Sequence, residues 1–364
     1  MKKVLMILSN GFNPDPRVYK EAKSLVDIGF KVSIICWDRE CNLKIRENID
    51  GIEVYRVRTG KVISGNVKSM LCNIFKFHKK VFNLAKTVQF DAVHAHDFDT
   101  VRVGNKLKKK FKVPLIYDIH DLYESYLRNN KFLKIIIRNL DIFYCKKADL
   151  IIIVNDSFKM RPQIKGRKTV LLMNTPLLRG NVFSKNTKEG IFYAGGLQES
   201  RKMDFVFEAN KELNQRVTIA GDGPLLEEYM KEYDSNLNTF LGRIPAKDVE
   251  EKTKNCKLII APYDPFYLNN RLASPNKLFE AMKYGKPSLV SEGTVMGDIV
   301  KKERCGETFR YGDIEDFIEK CNLIEKNYDF YALNAYSAFK NKYSWDFMIN
   351  NLFKEYGVLL NIDI

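Results

Sequence analysis

Along the first half of the chain, short apolar runs alternate with longer stretches in which apolar residues recur every three or four positions. The runs at 4–8, 32–37, 52–57, 92–95, 115–119 and 150–154 are too short for buried helices and read as strands. The intervening segments at 16–28, 66–88, 99–111 and 132–147 have helical periodicity. Unbroken apolar strands separated by helices predict a parallel sheet covered on both faces. A further strand at 170–172 precedes a polar stretch at 179–188, which reads as a linker. A second alternation follows, with strands at 191–194, 217–220, 239–241, 258–261 and 288–291. The pattern predicts an α/β protein of two doubly wound domains, 1–178 and 179–342. A last amphipathic helix, 343–364, opens at Trp345 and is expected to pack back on the first domain.

The length agrees with this division, because 364 residues exceed what one hydrophobic core usually serves. The opening Met1-Lys2-Lys3 and its apolar run end at Ser9-Asn10-Gly11 without an export-length core, so they read as a buried strand and not a signal peptide. No stretch approaches the roughly 20 apolar residues of a membrane-spanning helix. Seven scattered cysteines without metal-ligand spacing suggest reduced thiols. Together these features predict a cytoplasmic protein, soluble or peripheral at the inner face of the plasma membrane. The net charge of +15 adds an anionic partner: a nucleotide, a phospholipid surface or nucleic acid.

Chemistry concentrates at strand ends, where loops and helix N-termini of open parallel sheets converge. In the segment from Ser274 to Pro287, Ser274 suits an N-cap, Pro275 a first helical position, and Gly285 a stop. The free N–H groups of Asn276, Lys277 and Leu278, the helix dipole and the Lys277 ammonium would make an anion site for a pyrophosphate. Glu280, four residues after Asn276, lies on the same helical face and can accept hydrogen bonds from a ribose diol. An ordinary capped surface helix whose Glu280 makes a salt bridge accounts for the same residues.

This segment resembles the donor-binding motif of the retaining glycosyltransferases of family 4, and in particular a subgroup with Ser-Pro-Asn-Lys-Leu-Phe-Glu. The resemblance implies the GT-B fold, two Rossmann-like domains facing a central cleft. It implies transfer from a nucleotide-sugar to a sugar or lipid-linked acceptor, in cell-surface polysaccharide or glycolipid synthesis, with retention. Neither a metal nor a cofactor other than the donor is implied. Glu280 matches the family's ribose-binding Glu, whereas the first Glu of the pair falls at Leu272. Asn270, Ser274 and Asn276 are the nearby substitutes.

Other segments carry the same resemblance. Gly195 and Gly196 allow a close backbone approach to a phosphate, and Arg201, at the family's Lys position, can grip one bidentately. The Gly221-Asp222-Gly223-Pro224 turn reads as structural. The turn at Gly242-Arg243 resembles the segment that reads the nucleotide base. Gly11, in the first loop, would lie against the donor or acceptor. Asp15 and Pro16 start a helix whose Arg17 faces either the cleft or solvent. His94-Ala95-His96-Asp97 and Tyr117-Asp118-Ile119-His120 end successive strands. His120 matches the family's His on the acceptor side of the donor sugar. The same His and Asp residues suggest a metal site, but they lack zinc-like spacing and a clear third ligand. The expected catalytic set is His120, Arg201 and Lys277.

Two basic amphipathic segments, 68–86 and 128–147, fit either an anionic bilayer surface or a solvated helix face. A nucleotide-sugar epimerase of the same fold is the rival activity. Nucleic-acid binding rests on charge alone, because the aromatic residues follow strand and helix periodicity and form no stacking motif.

Overall fold

The computed structural model describes residues 1–13, 15–60, 67–126, 130–180, 182–183, 189–273 and 276–363. Two compact units emerge, Met1–Leu172 with Ile349–Ile364 and Met173–Met348.

The first unit contains β1 (Lys3–Leu8), α1 (Pro16–Asp27), β2 (Lys31–Trp37), β3 (Arg46–Ile49), β4 (Ile52–Val57), α2 (Val67–Ala85), β5 (Ala92–His96), α3 (Phe98–Phe111), β6 (Leu115–Ile119), α4 (Lys131–Cys145), β7 (Leu150–Ile153) and β8 (Thr169–Leu171). Its sheet runs β3-β4-β2-β1-β5-β6-β7-β8, and only β3 is antiparallel to its neighbour. Every residue of β5, β6 and β7 is buried, which follows from helices covering both faces. The crossovers through α2, α3 and α4 all step in one direction, so right-handed connection puts these helices on one face, with α3 between the other two. The step from β1 to β2 runs the opposite way and sends α1 to the other face. The Asp15 carboxylate caps α1 by accepting from the N–H groups of Arg17 and Val18.

The second unit contains β9 (Glu189–Ala194), α5 (Asp204–Leu213), β10 (Val217–Ala220), α6 (Leu226–Tyr233), β11 (Asn238–Phe240), α7 (Ala246–Asn255), β12 (Cys256–Ala261), α8 (Leu268–Leu272), α9 (Asn276–Lys283), β13 (Ser288–Ser291), α10 (Val295–Glu303), β14 (Gly306–Phe309), α11 (Ile314–Lys326) and α12 (Tyr328–Ala338). Its parallel sheet runs β11-β10-β9-β12-β13-β14. Ala281 of α9 shares a core with Phe192, Ala220, Cys256 and Ile259, which seats that helix against the centre of the sheet. Gly285 ends α9 with φ of +65°, and the N–H of Lys286 closes back on the Ala281 carbonyl at 2.9 Å.

Three features differ from expectation. Strands β3 and β14 give no apolar run, since β3 is a polar edge strand and β14 has the sequence Gly-Glu-Thr-Phe. Residues 173–178 cluster with the second unit, where the Pro176 carbonyl accepts from Trp345 N–H at 3.0 Å and the Asp346 carboxylate from Leu178 N–H at 2.8 Å. The final helix α13 (Trp345–Leu360) is divided, with residues from Ile349 onward belonging to the first unit. There Tyr356 meets Phe30 edge to face and hydrogen-bonds His94 at 2.9 Å. Most of the expected linker, 181 and 184–188, lies outside the described residues.

Gly221 has φ of +153°, and a Cβ there would lie 1.9 Å from the Gly195 carbonyl oxygen. Gly221→Ala should therefore cost at least about 2 kcal/mol in urea unfolding, from backbone clash added to conformational strain. Gly29, with φ of +93° and nothing within 4 Å of a Cβ, isolates the conformational part. Gly29→Ala should cost about 1 kcal/mol, and equal losses in the two variants would refute the close approach.

Candidate functional site

In each sheet the strand order reverses at one place, between β1 and β5 in the first unit and between β9 and β12 in the second. Loops leaving these strands in opposite directions open a crevice at their carboxyl ends, the usual ligand position in open α/β sheets.

In the second unit that crevice holds two cations on aromatic faces. The Lys277 Nζ sits 3.8 Å from the Tyr193 ring centroid and 5.0 Å from that of Tyr263. The Arg201 guanidinium carbon lies 4.1 Å above Tyr263. Lys277 Nζ and Arg201 Nε are buried and find no hydrogen-bond acceptor among the described residues. Burial, and next the Arg201 charge, hold the Lys277 amine well below its ordinary range despite the opposing pull of Glu280. Two cations whose buried nitrogens find no acceptor, with Glu280 pulling on Lys277 from one turn away, make an unfinished electrostatic site.

The glycine loops shape its floor. A Cβ on Gly195 would lie 2.9 Å from Lys277 Nζ and from the Tyr193 hydroxyl, so glycine leaves that space to the cation. Gly196 accepts from the Tyr193 hydroxyl at 3.0 Å, and a Cβ on it would find nothing nearer than 4.0 Å. The turns are laced together by Gly195 N–H to Ala220, Leu197 N–H to Asp222 and Gly221 N–H to Gly242, at 2.9, 2.8 and 2.7 Å. Gly221 thus acts structurally, in a ladder of loops. Arg243, on the last of them, is exposed.

Helix α9 presents its N-terminus with Asn276 exposed and Lys277 turned onto the tyrosines. Leu278 is core, so only its N–H is offered to a ligand. Glu280 is half-buried one turn further on. Ser274, the expected cap, lies outside the described residues. Asn270, a candidate substitute for the carboxylate missing at Leu272, already has its amide nitrogen engaged. Its amide is buried and donates to the carbonyls of Ser200 at 2.6 Å and Asp264 at 3.0 Å, tying α8 to the Arg201 loop.

The crevice of the first unit holds a closed network. Arg17 faces neither cleft nor solvent: it is buried and grips Asp118 through Nε and Nη2 at 3.2 and 3.0 Å while donating to the Leu172 carbonyl. His120 Nε2 meets Asp118 at 2.5 Å and Nδ1 meets Asp97 at 3.3 Å. Burial lowers the His120 pKa, but the Asp118 and Asp97 carboxylates outweigh it and raise it to about 9. At neutral pH His120 is an imidazolium with both nitrogens engaged, which suits holding charge and excludes a free general base. Gly11 is pinned through its carbonyl by Arg56 Nε at 2.7 Å.

Glu21, His94, His96 and Asp118 place ligand atoms within 4.8 Å of one another. The missing third ligand of the sequence pattern is therefore supplied by α1. Yet Arg17 contacts Glu21 at 3.1 Å as well as Asp118, and His120 holds the other side of Asp118. A divalent ion would have to displace two resident cations. Burial and the Asp118 charge raise the Glu21 pKa to about 8, so it is predominantly a neutral acid near pH 7.

Sequence reasoning brought Arg201, Lys277, Gly195 and Gly196 to one place and His120 to another. Tyr193 and Tyr263 escaped it, as did Glu21. A tyrosine two residues before a strand-end glycine was the available signal for Tyr193.

Two families match the chain. That described as "Glycosyltransferase Family 4" covers residues 17–161, and that described as "Glycosyl transferases group 1" covers residues 188–327. An uncharacterized glycosyltransferase of Methanocaldococcus jannaschii is 20% identical, with 94% of this chain and 93% of that protein covered. Among solved structures, sucrose-phosphate synthase of Thermosynechococcus elongatus has a TM-score of 0.78 at 15% identity, covering 99% of this chain and 100% of that one. HepE of Anabaena in complex with UDP has a TM-score of 0.69 at 14% identity, covering 98% and 100%.

The His120 ring should titrate by NMR near pH 9 in place of the ordinary 6.5. Because its folded pKa is raised, the stability it contributes is complete below about 6.5 and lost as pH rises through about 9. Asp97→Asn should move the midpoint down, and an unchanged midpoint would mean that Asp97 does not hold the charge.

Proposed function

We propose that the chain is a glycosyltransferase of the GT-B fold whose second unit holds a nucleotide-sugar and whose reaction transfers that sugar with retention to a sugar or lipid-linked acceptor. The observation that carries this reading is the pair of cations, Arg201 and Lys277, whose buried Nε and Nζ find no hydrogen-bond acceptor among the described residues, at the switch point of the second sheet. A diphosphate supplies that anion. The UDP complex of the similar HepE structure makes a uridine donor the first to test.

In this reading the donor phosphates lie between Arg201, Lys277 and the α9 N-terminus, over Gly195 and Gly196, while the Glu280 carboxylate accepts from the ribose hydroxyls. Breaking the bond from the anomeric carbon to the diphosphate oxygen leaves negative charge on the departing group, and the cations stabilise it. The acceptor oxygen bonds to the anomeric carbon on the face the diphosphate leaves, and its proton passes to the departing phosphate. His120, already protonated, holds a positive charge at the strand ends of the first unit. Its longer contact, to Asp97, is the one it can yield to a ligand.

Arg201→Ala or Lys277→Met should lower turnover on the order of a hundredfold or more, and Glu280→Ala should weaken nucleotide affinity roughly tenfold. Full turnover in both cation variants would move the phosphate site elsewhere. Conversion of a UDP-sugar to its epimer without acceptor would favour the rival activity.

Side-chain cations standing where a divalent ion would bridge the phosphates support a metal-independent reaction. Activity on a nucleotide-sugar panel should survive EDTA. Loss on chelation, restored by Mg²⁺ or Mn²⁺, would redirect attention to the carboxylate and imidazole cluster of the first unit.

A further inference from the structure

Helix α4 keeps only Asp141 and Cys145 buried. The rest of its surface is unusually apolar: Phe132 is 74% exposed, Ile135 48%, Ile136 38%, Leu140 43% and Phe143 44%. Phe132, Ile136, Leu140 and Phe143 follow at helical spacing and form one outward stripe. Phe143 carries the Lys147 ammonium 5.6 Å over its ring and meets Tyr144 edge to face, and the stripe otherwise stays open to solvent.

The charge on the same face has one sign. Helix α2 contains no carboxylate. The single acidic residue of α3, Asp99, is buried opposite Arg39 at 3.7 Å. The single acidic residue of α4, Asp141, is buried and accepts from the Tyr117 hydroxyl at 2.8 Å. Exposed cations remain on all three helices, among them Lys76, Lys79, Lys106, Lys109 and Arg138. A groove of about 650 Å³ between α2 and α3 is lined by Lys79, Arg102, Lys106, Lys109 and Lys110, with Phe75 and Phe82 between them. Lys68 and Arg128, at the ends of the two basic segments, lie outside the described side chains.

We propose that the face formed by α2, α3 and α4 docks on an anionic phospholipid bilayer, with the α4 stripe entering the boundary between headgroups and acyl chains and the α2–α3 groove taking lipid phosphates. A dissolved polyanion would satisfy the lysines and leave Phe132, Ile135 and Leu140 in water, whereas a bilayer satisfies both. Within the described residues no helix is long and apolar enough to cross a membrane, so the contact is in the plane of the surface. The inference stands apart from the donor site and does not depend on the reaction proposed above.

The full chain should pellet with vesicles of phosphatidylglycerol and phosphatidylcholine in equal parts at low salt, and less as salt rises. Binding to pure phosphatidylcholine should be weak. Lys79→Glu with Lys106→Glu and Lys109→Glu should cut partitioning by at least about a hundredfold, with an unchanged melting temperature as the control for folding. Phe132→Trp places a reporter on the stripe, since the native Trp37 and Trp345 are both buried. Its emission should shift to the blue on these vesicles and be quenched by brominated acyl chains. Absence of pelleting at low salt would overturn the proposal. So would pelleting without a blue shift, or tighter binding to single-stranded RNA than to vesicles, either of which would make the face a site for polyanions in water.

Discussion

A parallel strand can be followed by another only if the chain returns across the sheet, and it does so here through helices that bury both faces. Within each sheet this constraint gathers the carboxyl ends of the parallel strands on one edge and leaves the reversals of strand order, β1 against β5 and β9 against β12, as the places where loops part. Residues distant in sequence meet there without any local signal. Arg17 and Asp118, and likewise Tyr193, Arg201 and Lys277, are neighbours for that reason alone.

The two crevices use similar groups to different ends. In the first unit Arg17 Nε and Nη2 and both ring nitrogens of His120 meet carboxylates while Arg17 Nη1 donates to the Leu172 carbonyl, and Asp118 is held well below the usual carboxylate range in spite of its burial because both cations act on it. The second unit places cations over tyrosine rings, which attract them weakly and accept no strong hydrogen bond. Their remaining affinity is left for a ligand. The orphaned nitrogens of the second unit, Lys277 Nζ and Arg201 Nε, belong to cations, whereas the buried atoms without a hydrogen bond in the first include both Glu21 oxygens and the Nε2 atoms of His94 and His96.

Much of the architecture could be read from period and length. Buried strands such as Leu150–Ile153 announce themselves as apolar runs, and the α9 stop at Gly285 follows from its left-handed φ. Edge strand β3 could not be read this way, because half of a solvent-exposed ladder needs no apolar side chain. The orientation of Arg17 was equally hidden. An arginine one residue past a helix start looks exposed until the sheet sets Asp118 opposite it. Asn270 was hidden in another way, since proximity in sequence to Leu272 suggests a ligand but gives no sign that its amide nitrogen is tied to the carbonyls of Ser200 and Asp264.

The bond between the Tyr356 hydroxyl and the His94 ring joins residues 262 positions apart, both of them fully buried in the same unit. On a ribosome the sheet around β5 emerges early, but the side chain that covers His94 is made only after the whole second unit has been translated. The first unit therefore cannot reach its final form by vectorial folding. Its core stays open at His94 until translation has passed Tyr356, so the earliest completion of the unit is set by how fast the second unit is translated.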